Sequence, residues 1–476
     1  MSREKQLVKN TGILALGKLC TQFVSFFLLP LYTAYLSTKE YGVVDLLNNY
    51  ISILIPIFFF QMDQAIFRFL IDARKDEKKK SVIISTALSA MFIQTFIFVL
   101  FYFIFSLFIK NNYKYFLLTN VIAATYSGLL LQICRGLGDN VTYSIGSLIT
   151  GVSTIVLNVL FITVFHLGAY GMLIATLIAN IACIIFLIIK KKIYKIFSFK
   201  NYKSEEKKSL WKYSIPLIPN QLSWWVVNVS DRTIISKFIS IGANGIYSAA
   251  NKFSAICITF FNFFNMTWSE SASMHIKDGD KDEFFSGIFN TSLKLFSCFC
   301  LAIIAVMPFC FKYLITGSGY ASAYYQIPIL MISTIFNIIV SLLGSIYVAL
   351  KKSNEIAKTS IIAAIINILI NLILIKKIGL FAASISTFFA YLTMSIYRFA
   401  DVQKYVKIRF EKKSLISLMF AFIFVTVTYY IRNTLLSIIG IFVTLFYSCI
   451  YNKRLIAKFI KFICKKCNLM KKKLCK

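Results

Sequence analysis

Acid is what this sequence is short of: 19 Asp and Glu stand against 52 Lys and Arg in 476 residues. Charged residues make up 15%, where a soluble globular chain has about 25%. The one acidic patch, residues 275–285, starts like a calcium loop with Asp278, Asp280 and Asp282. Its sixth position is Glu283 rather than glycine and its twelfth is Phe289 rather than glutamate, which argues against calcium. Histidine is scarcer still. His166 and His275 both fall near loops, so no intramembrane histidine serves an acyltransferase. The eleven cysteines form no disulfide framework. Cys464 and Cys467 make one CxxC without the second pair of ligands that zinc requires. No P-loop is present, so this chain does not itself hydrolyse ATP. No loop on the outer side is longer than about a dozen residues, which excludes an extracytoplasmic domain of the kind polymerases use.

What the chain has instead is apolar length. Hydrophobic residues reach 58%, in continuous blocks long enough to cross a hydrocarbon core, about 20 residues each. Continuous rather than alternating runs argue against a β-barrel. We read an all-α integral membrane protein of about fourteen spans, the first at 11–35 and the last at 434–451. The first run is too long for a signal core and lacks an A-x-A site, so it is expected to stay in the protein.

A net charge of +33 could suggest nucleic acid, but the charges cluster in alternate loops. With the N-terminus inside, 39 of the 52 cations fall in inside segments, among them Arg398 in 398–413, and nine fall outside. That asymmetry places both termini in the cytoplasm and makes the span number even. No nucleic-acid partner is expected. The basic tail 454–475 reads as an amphipathic or solvated segment on the cytoplasmic leaflet.

The chain also repeats itself. Residues 35–50 align with 238–253 at an offset of 203, pairing Ser37 with Ser240, Gly42 with Gly245 and Asn48 with Asn251. A second match pairs Asn158 with Asn371 and Thr176 with Thr387. Together they predict two six-helix lobes, 1–200 and 201–400, as parallel repeats related by a pseudo-twofold axis along the membrane normal. Residues 401–476 then carry two further helices and the tail.

The densest stretch is 211–253. Its first helix, the span 210–231, carries Pro216 and Pro219 and is read as ending at an Asp231–Arg232 pair; the next bears Lys252. A charge at mid-helix in lipid is costly, so such residues should face a cavity or a partner. Lys18, Gln22, Asn48, Asn49, Gln221, Asn251 and Lys252 sit at related depths of four spans and predict a polar, net-positive cavity. Asp45, Asp63, Asp231 and Arg232 are candidates for gating or for H+ or Na+ coupling; no other cofactor or metal is indicated. Trp211 and Trp268 read as interfacial anchors, and Trp224 and Trp225 as lipid- or sugar-facing.

The pattern PxxPNQLSWW…SDR…GIYS within 216–252, the duplication and the span number resemble the polysaccharide flippases of the multidrug/oligosaccharidyl-lipid/polysaccharide exporter superfamily. The matching residues include Pro219, Trp224, Asp231, Arg232, Gly245, Ile246, Tyr247, Ser248 and Lys252. The resemblance implies a carrier, not an enzyme. Its cargo would be an undecaprenyl-pyrophosphate-linked oligosaccharide of O-antigen or capsule type, crossing a bacterial inner membrane by alternating access. A polysaccharide polymerase and a chain-length regulator would be its partners. A peptidoglycan-precursor flippase or a cation-coupled multidrug antiporter of the same superfamily is the alternative.

Overall fold

The computed structural model describes residues 26–107 and 112–453. Lys18, Gln22, Cys464, Cys467 and the basic tail lie outside the described residues. Among the described residues there are helices and no strands. The backbone divides into two compact units. The first comprises Met1–Ala249, Ile315–Ala321 and Leu372–Gly379, and the second Ala250–Leu314, Ser322–Asn371 and Leu380–Lys476.

The first unit holds α1 (Leu29–Tyr35), α2 (Thr38–Phe59), α3 (Met62–Asp72), α4 (Glu77–Ser106), α5 (Lys114–Gly136), α6 (Asn140–Val159), α7 (Gly168–Lys191), α8 (Ser204–Ser214) and α9 (Ile218–Phe238). It also holds the start of α10 (Ile241–His275). Helix α5 packs against α3 and α7, and α6 against α7. The second unit holds the rest of α10, α11 (Lys281–Leu314), α12 (Ile327–Ala349), most of α13 (Ser353–Ile378), α14 (Leu380–Val402), α15 (Lys412–Ile431) and α16 (Thr434–Tyr451). There α12 lies along α14, and α11 packs against α12, α15 and α16.

Every expected span from the second to the fourteenth is helical here, the seventh in two pieces. Among the described residues, eleven helices are long and apolar enough to cross a membrane, which makes this a multi-pass membrane protein. Helices α9 and α10 are outside those eleven. Their charges and amides lower the hydropathy, and these two helices carry the stretch singled out above.

Proline shapes the seventh span. The expected single helix is broken into α8, a 3-10 turn at Ile215–Leu217 and α9, because Pro216 and Pro219 cannot donate backbone hydrogen bonds. The second span ends at a break of its own. Phe60 and Gln61 take the left-handed conformation, φ 50° and 48°, between α2 and α3. The Gln61 side chain then donates to the Leu217 carbonyl at 3.2 Å, so one break helps to satisfy the other.

Trp268 and the end of α9 differ from what the sequence predicts. Trp268 is 3% exposed and donates its indole N–H to the Leu342 carbonyl at 3.2 Å, so it anchors the second unit's core and not an interface. Helix α9 does not end at Asp231–Arg232 but runs on to Phe238. A charged pair in lipid would favour a helix end; here both side chains find partners inside the protein.

Candidate functional site: a carboxylate at the crossing of two repeats

The offset of 203 found in the sequence reappears as geometry. Ser37 caps α2: its Oγ accepts the Glu40 N–H at 3.2 Å, and Glu40 accepts the Ser37 N–H at 2.9 Å. Its counterpart Ser240 caps α10 by accepting the Ala243 N–H at 3.0 Å. One turn on, the paired glycines meet. A Cβ on Gly42 would stand 2.0 Å from the Ile241 carbonyl oxygen, and one on Gly245 2.1 Å from that of Thr38. Thr38 and Ile241 are themselves 203 apart, so the contact is reciprocal, with each helix laying its bare backbone on the other. Only glycine permits that approach.

Immediately below lies Asp45, whose repeat counterpart is Ser248. The two touch, with Ser248 Oγ donating to Asp45 Oδ1 at 2.6 Å. On Oδ2, Asn49 donates from the same helix at 3.1 Å and Asn244 from α10 at 3.3 Å. Arg232 Nε, from α9, is 3.0 Å away in an ion pair. Both side chains of that pair are 13% exposed. Asn244 also donates to the Gly42 carbonyl at 3.0 Å, binding the crossing itself. Asp231 faces elsewhere and accepts the Tyr247 hydroxyl at 3.1 Å. The adjacent acid and base of α9 therefore reach different partners, rather than each other as a simple end pair.

The arrangement fastens three helices to one carboxylate. All the contacts are made by side chains, so they can be exchanged for water without unwinding a helix. Charge-assisted hydrogen bonds contribute about 1.5–3 kcal/mol each when buried, enough to hold a two-state element in one position.

The sequence-predicted residues fall into three groups. Asp45, Asn49, Asp231 and Arg232 belong to the crossing. Asn49 is occupied by Asp45, and its carbonyl accepts the Trp225 indole N–H at 3.0 Å, which ties the half-buried Trp225 of α9 to α2. Asp63 is apart, on α3, accepting from the Gln64 amide at 2.7 Å. Asn48 and Gln221 are exposed, while Asn251 and Lys252 are half-buried further along α10 in residues of the second unit. The sequence reading gave no site role to Ser248, Asn244 or Tyr247. The offset could have found Ser248, since it aligns with Asp45.

A family model described as "Polysaccharide biosynthesis protein" matches residues 7–269. A probable low-salt glycan biosynthesis flippase, Agl15 of Haloferax volcanii, is 22% identical over 216 residues, which is 45% of this chain and 45% of that protein. Among solved structures, the Lipid II flippase MurJ in an inward closed conformation aligns with a TM-score of 0.68 and 18% identity, covering 93% of this chain and 99% of that one. An inward-facing multidrug resistance MATE family transporter of the MOP superfamily aligns with a TM-score of 0.65 and 11% identity, covering 82% and 98%. At these identities the structural likeness establishes the fold.

Proposed function

We propose, from the premise that this chain belongs to the polysaccharide biosynthesis protein family, that it is a flippase for lipid-linked oligosaccharide. The cargo is an undecaprenyl-pyrophosphate-linked repeat unit of O-antigen or capsule type. It moves from the cytoplasmic to the outer leaflet of a bacterial inner membrane, with both termini of the carrier in the cytoplasm. The glycan flippase named among the relatives supports the cargo class.

One observation carries the mechanism: α2 and α10, at equivalent places in the two sequence repeats, are clasped at Gly42, Gly245 and Asp45. By the distribution of Lys and Arg, the N-terminal ends of these helices face outside. The clasp is then an outer gate, and Arg232 and Ser248 are its latch. Release of Asp45, by protonation or by exchange of its partners, lets the helices part. Lys18 and Lys252 are the proposed cationic contacts for the pyrophosphate, with Gln22, Asn48, Gln221 and Asn251 serving the sugars. The polyprenyl tail stays in lipid while the head crosses. Coupling to H+ or Na+ would act through Asp45 or Asp63. A polymerase and a chain-length regulator would receive the product.

Deleting the gene tests this reading. The expected result is loss of surface polymer, with lipid-linked repeat units stranded on the cytoplasmic leaflet. Normal surface polymer together with altered resistance to cationic drugs would replace it with drug antiport. Lys18→Ala and Lys252→Ala are each expected to impair transport while the protein remains in the membrane.

A further inference from the structure

A cavity in the first unit is built for something the proposed cargo does not supply. It has a volume of about 320 Å³ and lies between the end of α2, the middle of α4 and helix α8. Phe58, Phe60, Ile93 and Ile97 give it apolar walls, and Lys207 is the charged residue among those lining it. Gln94 and Trp211 line it as well. Gln94 is 5% exposed, and neither its amide nitrogen nor its amide oxygen has a hydrogen-bond partner among the described residues. The Trp211 indole N–H is in the same position. Buried donors without acceptors are rare, and two facing one cavity are rarer still.

The register of α8 on α4 explains how they come together. The Lys203 N–H donates to the Thr86 hydroxyl at 3.1 Å, setting the foot of α8 beside that residue. Both helices advance by about 1.5 Å per residue, so Lys207 runs level with Ala90 and Trp211 with Gln94. Lys207 Nζ stands 4.9 Å from the Trp211 ring and 5.8 Å from that of Tyr202. The cavity thus has a cation one helical turn from a pair of orphaned N–H donors, with apolar walls around them.

We propose that this cavity binds an anionic glycerophospholipid: phosphate on Lys207, ester carbonyls accepting from the Trp211 indole and the Gln94 amide, one acyl chain against Phe58 and Phe60. A phosphate alone would leave the apolar walls and the inner donors unused. A polyprenyl phosphate brings a chain and a charge but has no carbonyl at the depth of Trp211 and Gln94. The glycerol ester region supplies acceptors one turn from the phosphate. The site is a lipid co-ligand site on the first unit, separate from Asp45 and its partners. It does not depend on the flippase reading.

Native mass spectrometry of the purified full chain, with defined lipids added, tests it. Palmitoyl-oleoyl phosphatidylglycerol is expected to be retained at least about tenfold better than phosphatidylcholine or the ether-linked phosphatidylglycerol analogue, which lacks the carbonyls. Gln94→Leu and Lys207→Gln should each reduce that retention by about tenfold. Phe96→Ala, at an exposed position elsewhere on α4, should leave it unchanged. If Lys207→Gln does not fold, Gln94→Leu and the ether analogue still decide. Equal retention by wild type and Gln94→Leu, or equal binding of ester and ether lipid, overturns the proposal. So does displacement of phosphatidylglycerol by undecaprenyl phosphate at lower concentration, which would make the cavity a cargo site.

Discussion

Two charges in this molecule are handled in opposite ways. Asp45 in the first unit is held by the side chains of Arg232, Ser248, Asn49 and Asn244, and it keeps 13% of its side-chain surface exposed. Arg398 in the second unit is 1% exposed and, among the described residues, has no carboxylate within ion-pair reach. Its guanidinium donates to the carbonyls of Val340 at 3.0 Å and Ile356 at 3.3 Å, and to the hydroxyl of Thr359 at 3.0 Å. Gly344 makes room for it: a Cβ there would stand 2.8 Å from the guanidinium nitrogen. Two of the Arg398 acceptors are carbonyls held in place by α12 and α13, and the side chain is enclosed between those helices. Asp45 can let go by rotating side chains. On the proposed reading the first is a rivet and the second a latch, and the difference lies in Arg398 having fixed backbone carbonyls among its partners where Asp45 has side chains alone.

The comparison breaks first at Arg398. Arg398→Ala removes the donor from several buried acceptors and leaves a void, and the expected loss is about 4 kcal/mol or more. Little folded protein should survive extraction, as read by size-exclusion chromatography. Arg398→Lys should not restore it, because an ammonium cannot reproduce the planar fork. Near-wild-type melting of either variant would show that the guanidinium is not a rivet. Asp45→Ala comes next. It leaves Arg232 buried without its counter-charge, a change of about 3 kcal/mol. If the latch reading is right, the loss appears chiefly as a population shift. A cysteine at Val43, buried in wild type, should become reactive to a membrane-impermeant maleimide, while the folded protein is still recovered. Unchanged protection of that cysteine would mean that Asp45 holds nothing shut.

How much of this was legible beforehand depends on which physical constraint wrote it. Lipid forbids unpaired backbone, so the spans from the second to the fourteenth could be read from runs of apolar residues. The repeat offset was legible because capping and close approach admit few residue types, serine at 37 and 240 and glycine at 42 and 245. The second repeat match behaves alike: Asn158 and Asn371 are both fully buried in their own helices. Partner choice was not legible. That Arg232 would reach back to Asp45 depends on how α9 is rotated about its axis, which hydropathy does not set. The sequence puts Arg398 with the inside loop for a similar reason: a cation near a span's end looks the same whether it points to water or to a neighbouring carbonyl. The break at Ile215–Leu217 was signalled by its prolines, though the run was apolar enough to be read through.

Smaller changes sharpen the contrast. Gly42→Ala puts a methyl into the Ile241 carbonyl, and overpacking of this kind costs about 1–3 kcal/mol. It should prise α2 from α10 and make the Val43 cysteine reactive while Asp45 stays intact. Gly245→Ala should do the same, and the double variant should cost less than the sum because both act on one contact. Full additivity would place the two glycines at independent contacts.

The mildest case is a latch with no gate to hold. Asp139 caps α6, accepting the Thr142 N–H at 2.9 Å, and it pairs with Lys191 near the end of α7. Burial pushes its carboxyl up, but Lys191 and Thr142 outweigh burial and leave it below its ordinary value of 3.8. A carboxylate lowered in the folded state contributes stability that is complete above the ordinary value and disappears as pH falls through the folded one. Asp139→Asn should therefore cost less than about 1 kcal/mol at pH 7, and wild type and variant should converge below pH 3.8. Melting temperatures in detergent at neutral and acid pH read this directly. A difference that persists undiminished in acid would assign the effect to lost capping geometry, and charge pairing at this edge would then contribute nothing.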